Sequence, residues 1–523
     1  MWMLPALLLV PFAGKAFHLD DDLFLQYARA LQPSGGDPYD ITFIHGGAPW
    51  PLFHQPNPLG WLIVLASLRA LFGENEWVLH LATFAFAPLG LHGLGVLAKR
   101  LGVSAASACL LFAGSSAFLV MGSTVMPDVP FACCTVAALA RLVRGVEEDR
   151  TRDLVGAGLL AVCAFLMRYT GLLAIGLLLV YPIAARRWRW RAFLPFAVGA
   201  ALALSWDLAG RWLHGDSHFL HSVSAHAAGG SWPHRARMAL AEVIHLGAQA
   251  PLLLPLAAAL LGGWRGIVLA AAALPAVAAW ATAVEGPQAV WPAVVFAWPG
   301  AIVLLRALSI LTEYVVALVR RQPGPAPLVV FLSVWIIPTV FATVGYWHVA
   351  AKYMLLPLPA VVLLVLDWFR NESTWRRAVR PLSIALTVVV GLLVAVSDYR
   401  FAGLYRDYYE REWKDDAPPP GGAAYVAGEW GFHYYAERHG LHEYAGQAMG
   451  PSDRLIYTRE VPGEPDALDS FSDEHSRREL VYPGPFAILN RAQDAGFYAN
   501  AWGTWPYVWS REVRDTLIVR RGR

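Results

Sequence analysis

A chain of 523 residues that is 57% hydrophobic and only 15% charged carries too few charges and too many long apolar runs to be a soluble enzyme, and it reads as an integral membrane protein. A net charge of +2, with Lys and Arg spread along the chain rather than gathered on one face, excludes a nucleic-acid binder. Cys109, Cys133, Cys134 and Cys163 fall in apolar segments without metal-ligand spacing and read as packing residues.

Apolar stretches near the bilayer-crossing length of roughly 17 to 25 residues recur along most of the chain. They lie at 1–17, 78–97, 105–121, 129–142, 154–166, 172–185, 192–213, 238–261, 267–284, 289–308, 328–346, 350–366 and 382–397, which predicts an all-α polytopic fold of about 13 transmembrane helices. The first stretch lacks the basic n-region of a signal peptide and is read as a slightly short span. With the N-terminus inside, Lys99 and Arg100, the basic run 141–152, Arg186 to Arg191, Arg320 and Arg321, and Arg370 to Arg380 all fall in inside loops. That is the bias expected of cytoplasmic loops. It places the outer loop 20–77 and everything after Asp398 outside the cytoplasm.

The outer loop opens with His18-Leu19-Asp20-Asp21-Asp22. Three adjacent acids repel one another and need a cation, a proton or a helix N-terminus beside them. Leu23, Phe24, Tyr27, Ala28 and Leu31 follow at helical spacing, so the acids form the first turn of an amphipathic juxtamembrane helix, ionised and facing water. Asp22, which begins the helix proper, reads as a cap. Farther on, Pro49 to Pro58, with His54 and Asn57, is dense in aromatics and prolines, and Leu59 to Phe72 reads as a second juxtamembrane helix. Past Asp398 the chain turns polar. Pro418 to Gly422 reads as a linker, and β-prone runs at 424–427, 455–458 and 516–519 predict a small α/β extracytoplasmic domain over 399–523, beside a membrane core over 1–398.

Span parity brings the polar residues that follow odd-numbered spans to one face: Asp20, Asp21, Asp22, Asp128, Arg168, His348 and Lys352. An acid at the centre of a span costs roughly 2.5 to 3.5 kcal/mol, so Asp128 belongs at a span mouth, as part of a site or as a helix cap. Arg168 and Lys352, with Tyr353 and His348 beside the lysine, are candidates to hold a phosphate, the competing reading being that each cation snorkels to the interface. Asp207 and Arg211 read as a structural i,i+4 pair. No glycine-rich phosphate loop is present.

Taken in order, the acidic pair after the first span, the Asn-Pro segment of a long outer loop, the acid at the mouth of span four and the Lys/Arg-Tyr stretches resemble the GT-C superfamily of membrane glycosyltransferases. The similarity is to bacterial relatives of the protein O-mannosyltransferase and aminoarabinose transferase group, and it rests on 18–28, 54–62, 126–130, 167–171 and 352–359. That family shows Asp-Glu or Asp-Asp, so the run of three leaves the register open. The resemblance implies inverting transfer of one sugar from a polyprenyl-phosphate donor to a lipid, glycan or protein acceptor on the outer face. Asp20 or Asp21 would be the general base, with Asp128 as its partner, and the carrier phosphate would meet Arg168, Lys352, Tyr353 and His348. His54 and Asn57 would line the donor and acceptor loop. A divalent metal is allowed at Asp21 and Asp128. The rival reading is a transporter or lipid flippase with an outer acidic ion site, but such proteins place charges near the midplane of repeated halves, and no repeat is evident. A scaffold displaying the C-terminal domain would leave the ordered polar set unexplained.

Overall fold

The computed structural model describes residues 3–31, 38–45, 48–226, 230–261, 263–370, 374–463 and 471–522. Among these, six helices are long and apolar enough to cross a membrane: Glu76–Leu101, Asp128–Glu148, Trp190–His214, Trp264–Glu285, Pro287–Arg320 and Ala378–Arg411. A seventh span is made if Trp232–Gln249 and Leu254–Leu260, bent by 92° at their junction, count as one. Gly60–Phe72, Gly171–Ala184, Pro327–Val340 and Leu358–Trp368 are shorter apolar helices. The membrane core is therefore helical, as expected, while several stretches expected to span are broken.

Local chemistry explains the breaks. The first stretch is a nine-residue 3₁₀ helix, Leu4–Phe12, that contains Pro5 and Pro11. Proline lacks the N–H that continues an α-helix, and nine residues at about 2.0 Å each reach roughly 18 Å, short of a bilayer core. The stretch 105–121 is split into Ala105–Ala113 and Ser116–Met121 because Ser115 caps the second helix through the Phe118 N–H. Gly114 at this break lies so close to Gly391 that a β-carbon on Gly391 would meet the Gly114 carbonyl oxygen at 2.0 Å.

Both juxtamembrane helices form, as Asp21–Ala30 and Gly60–Phe72, with a two-stranded hairpin of Thr42–His45 and Ala48–Pro51 between them. The last long helix runs unbroken from Thr374 to Arg411, through the expected domain boundary at 398. Beyond it lies a five-stranded mixed sheet in the order 442–443, 424–426, 454–458, 512–522, 471–483. The first three of these strands are parallel, and the last two are joined to them antiparallel. Helix Trp430–Arg438 packs between this sheet and the juxtamembrane helix Asp21–Ala30. A fully buried ion pair, Lys15 Nζ to Asp398 Oδ2 at 2.7 Å, fastens the first segment to the last helix.

Candidate active site

Leu19 sits at φ +52°, in the left-handed region that a non-glycine residue occupies at a cost and that gathers at functional positions. Beyond it the three acids part ways. The Asp20 side chain is 41% exposed and accepts from Lys352 Nζ at 2.9 Å. Asp21 is wholly buried, one oxygen accepting from the His18 N–H at 3.0 Å and the other from the Val125 N–H at 2.8 Å. Asp22 is 3% exposed and pairs with His433 Nδ1 at 2.9 Å. The expectation that all three face water is thus corrected. Asp22 is not the cap of the helix, whose N-cap position is Asp20; its carboxylate is held by a histidine of the C-terminal domain and by Gln26.

The electrostatics separate the two candidate bases. Burial pushes the Asp20 carboxyl up, but Lys352, reinforced by His348 and Arg168, holds it below the usual carboxylate range. Burial pushes Asp21 up to about 7 against the opposing influence of Lys15 and its two backbone donors. Asp20 is therefore the ionised carboxylate that reaches open space.

Asp128 is the first residue of helix Asp128–Glu148, whose N-cap position is Pro127. Its Oδ1 accepts from Arg168, which follows the end of helix Thr151–Met167 in an extended conformation. The turn after Arg168 closes on Gly171, where a β-carbon would stand 2.5 Å from the Phe165 backbone. Only glycine fits there. Arg168, with a side chain 15% exposed, does not snorkel, and its guanidinium lies over the Tyr353 ring at 5.8 Å. Lys352 rides a 3₁₀ turn, Ala351–Leu355, that the C-terminal domain clamps: Ala351 N–H donates to Phe497 O at 2.8 Å, and Val349 N–H to Asn500 Oδ1 at 2.8 Å. Tyr353 Oη lies 3.1 Å from His348 Nε2.

Asp20, Asp128, Arg168, His348, Lys352, Tyr353 and Asn57 all line one cavity of about 490 Å³ between the helical core and the C-terminal domain. Asp21 and His54 do not line it. His54 is exposed and stacks on His221, with ring centroids 5.1 Å apart. The cavity also has aromatic walls, Trp50, Trp347, Trp430, Tyr498 and Trp502, the last and Tyr498 belonging to the aromatic-rich run Phe497 to Trp509. Within that run Phe497, Tyr498 and Tyr507 are buried and Trp509 is 68% exposed.

A second cavity, also of about 490 Å³, adjoins the first and shares Pro56, Asn57 and Arg168 with it. Its remaining walls are mostly apolar, among them Leu172, Leu177, Val180 and Val334, with hydroxyls from Thr170, Ser222 and Thr339. One cavity is thus charged and aromatic, the other greasy, and Arg168 stands at the junction.

The donor set does not favour a metal at Asp21 and Asp128. Both Asp21 oxygens are taken by backbone N–H groups, and Asp128 has Oδ1 on Arg168, which leaves Oδ2, buried and without a hydrogen-bond partner among the described residues, as the one open oxygen of the pair. Asp22, His433 and Glu437 offer ligand atoms within 4.8 Å of one another, yet Asp22 and His433 already pair directly, and Glu437 is engaged by Arg29 at 3.2 Å.

No curated protein matches the sequence significantly. In structure the chain is similar to ArnT from Cupriavidus metallidurans bound to undecaprenyl phosphate, at 15% identity and a TM-score of 0.41, covering 99% of this chain and 96% of that one. It is also similar to the Archaeoglobus fulgidus oligosaccharyltransferase in the apo form, at 13% identity and a TM-score of 0.47, covering 83% of this chain and 62% of that one. A third similarity is to arabinosyltransferase EmbB from Mycobacterium smegmatis, at 16% identity and a TM-score of 0.36, over 93% and 46%. The dolichyl-phosphate-mannose-protein mannosyltransferase family matches residues 54–207, a stretch that holds His54, Asn57, Asp128 and Arg168. That match bears out the resemblance to the GT-C membrane glycosyltransferases read from the motifs.

Proposed function

We propose that this protein transfers a sugar from a polyprenyl-phosphate carrier to an acceptor hydroxyl on the extracytoplasmic face of the membrane, with inversion at the anomeric carbon. The observation that carries the reading is the junction of the two cavities at Arg168. A polyprenyl-phosphate sugar has a long apolar tail, a phosphate and a polar sugar, in that order. The apolar cavity suits the tail, Arg168 and Lys352 the phosphate, and the charged, aromatic cavity the sugar. The undecaprenyl phosphate in the ArnT structure is a ligand of the class this arrangement calls for.

Asp20 is the general base. It takes the proton of the acceptor hydroxyl as that oxygen bonds to the anomeric carbon, while the bond from carbon to phosphate oxygen breaks and its electron pair leaves with the polyprenyl phosphate. Arg168 and Lys352 offset the charge that develops on the leaving phosphate. Lys352 links the two events. Paired with Asp20 it keeps the base ionised, and when drawn toward a donor phosphate it frees that carboxylate to accept a proton. Asp128 orients Arg168. Asp21 is a positioning residue that ties the helix start to the 125–126 backbone.

The test is to incubate the purified protein with a panel of polyprenyl-phosphate sugars and measure release of free polyprenyl phosphate. Release that requires Asp20 supports the reading. If wild-type protein and Asp20→Asn release it equally across the whole panel, the reading falls.

A further inference from the structure

A smaller cavity of about 270 Å³ lies beside the charged one, and Trp347 is a wall of both. One face of helix Trp232–Gln249 builds it, since His234, Arg237, Ala241 and His245 recur at three- and four-residue spacing. Asn500, Ala501 and Thr504 of the C-terminal domain form the facing wall, and Glu285 closes the side. The chain passes between the two cavities within four residues: Ala499 and Trp502 line the first, Asn500 and Ala501 the second.

Most polar groups here are engaged. Arg237 Nε meets Glu285 Oε1 at 2.8 Å, His234 Nε2 lies 2.9 Å from the Tyr346 carbonyl oxygen, and Asn500 Oδ1 accepts from Val349. His245 is the exception. It is 1% exposed, and neither ring nitrogen has a hydrogen-bond partner among the described residues. Each unpaired buried polar atom costs roughly 1 to 3 kcal/mol, so a fold keeps such a ring where something else supplies the partners. A neutral imidazole offers one donor and one acceptor, and a hydroxyl group answers both. Arg237 is already neutralised by Glu285, which leaves the lining suited to a neutral hydroxylated ligand rather than a phosphate. Trp347, 52% exposed, presents an indole at the partition, the kind of surface on which the C–H face of a sugar ring packs.

We propose that this cavity is a carbohydrate subsite that holds one sugar ring of a glycan acceptor, with the next ring passing Trp347 to bring its hydroxyl to Asp20. The proposal rests on the transferase reading above. It deepens that reading by naming the acceptor as a glycan. The size fits: the cavity falls below the roughly 300–1,000 Å³ of pockets for drug-sized ligands and takes a single ring. Its position fits as well. It shares Trp347 with the charged cavity and no lining residue with the apolar one, so an acceptor held here and a carrier held there would approach Asp20 from different sides.

The test is saturation-transfer NMR on the full-length protein in detergent, with methyl mannoside, methyl glucoside, methyl galactoside and methyl N-acetylglucosaminide as probes. Undecaprenyl phosphate binding is measured on the same samples. Ala501→Trp fills the cavity from an exposed position, and His245→Phe removes the unpaired nitrogens. The expected result is transfer to at least one glycoside in the wild type, a loss of roughly tenfold or more in its affinity in both variants, and unchanged affinity for undecaprenyl phosphate. No transfer in the wild type, transfer that persists in both variants, or displacement of the glycoside by a Ser/Thr-containing peptide and not by longer glycans would overturn the subsite. Failure of the wild type to bind undecaprenyl phosphate strikes the transferase reading separately. The cavity would then stand as a sugar site, and its role in acceptor binding would fall.

Discussion

Lys352 Nζ stands 2.9 Å from Asp20 Oδ2, joining the start of the juxtamembrane helix to a turn more than three hundred residues later. An ammonium this close keeps the carboxylate charged at neutral pH but also weakens it as a base, so the pair has to loosen for Asp20 to accept a proton. Asp20→Asn keeps the shape and removes proton uptake. Turnover is expected to fall roughly a hundred- to ten-thousand-fold, with polyprenyl-phosphate affinity nearly intact. Single-turnover release of polyprenyl phosphate, read beside equilibrium binding, checks both halves.

The two cations of the site should separate in a stability measurement. Arg168→Ala leaves Asp128, 4% exposed at its side chain, without its cation, and breaking a buried pair costs roughly 3 to 5 kcal/mol. Lys352→Ala leaves behind the Asp20 carboxylate, which is 41% exposed and solvated by the cavity, so the expected cost is below about 1 kcal/mol. Both variants lose a charged contact to the donor phosphate, worth roughly 1.5 to 3 kcal/mol, or about ten- to a hundredfold in Kd. Thermal unfolding in detergent should therefore show a much lower midpoint for Arg168→Ala than for Lys352→Ala. Similar midpoints, or wild-type donor affinity in Lys352→Ala, would contradict the assignment.

Much of the site was legible because ionisable residues are conspicuous in an apolar chain. Asp20, Asp128, Arg168 and Lys352 stand out at span mouths, and parity puts them on one face without any knowledge of packing. What parity cannot supply is the partner of each charge. Asp22 read as a cap because its histidine lies 411 residues away, and Asp21 read as a possible base because its two backbone donors leave no trace in the sequence. The strand Phe471–Pro483 was invisible for a different reason. Its centre, Asp473-Glu474-His475-Ser476-Arg477-Arg478-Glu479, has the polarity of a loop, which an edge strand tolerates because one side stays in water. The spans were over-read because hydropathy registers the apolar content of 1–17 and 105–121 but not the prolines and the Gly114-Ser115 pair that break them.

The basic-residue bias of the loops predicts that the C-terminal domain lies outside the cytoplasm, and the proposed reaction requires it. Ser452 is exposed in the C-terminal domain. In a background lacking Cys163, Ser452→Cys should react with a membrane-impermeant maleimide in intact cells whose outer barrier has been opened. Labelling only after the inner membrane is lysed would reverse the topology and remove the site from the face where its acceptor is expected.

The Asp22–His433 contact predicts a pH dependence of stability. Burial lowers the His433 imidazole, but the hydrogen bond and charge of Asp22, with Glu437 and Glu443 nearby, override it and push it up to about 9; Arg29 faces Glu437 from the juxtamembrane helix. A histidine whose folded pKa exceeds its unfolded value of about 6.5 contributes stability that is complete below pH 6.5 and lost as pH rises through 9. The unfolding midpoint should therefore fall between pH 6.5 and 9.5. His433→Phe should be less stable at pH 6.5 and show a flatter profile over that range. An unchanged slope in the variant would assign the pH dependence elsewhere.

The Lys15–Asp398 pair tests what holds the last helix and the C-terminal domain in register with the first segment. Both side chains are fully buried, and Tyr498, a wall of the charged cavity, donates its hydroxyl to the second Asp398 oxygen. Lys15→Met alone strands a buried carboxylate, and Asp398→Asn alone strands a buried ammonium, each at a cost of roughly 3 to 5 kcal/mol. The double variant Lys15→Met/Asp398→Asn leaves no unpaired charge, and its amide oxygen still accepts from Tyr498. It should recover most of the loss, because desolvating two charges consumes much of what their attraction returns. Thermal unfolding of the four proteins forms a double-mutant cycle, and a positive coupling of several kcal/mol is the expected outcome. Additive losses would mean that the pair does not hold these elements together. If instead the double variant is stable but loses turnover, the pair acts on the reaction through the placement of Tyr498, which the same samples would show as a fall in kcat at unchanged donor affinity.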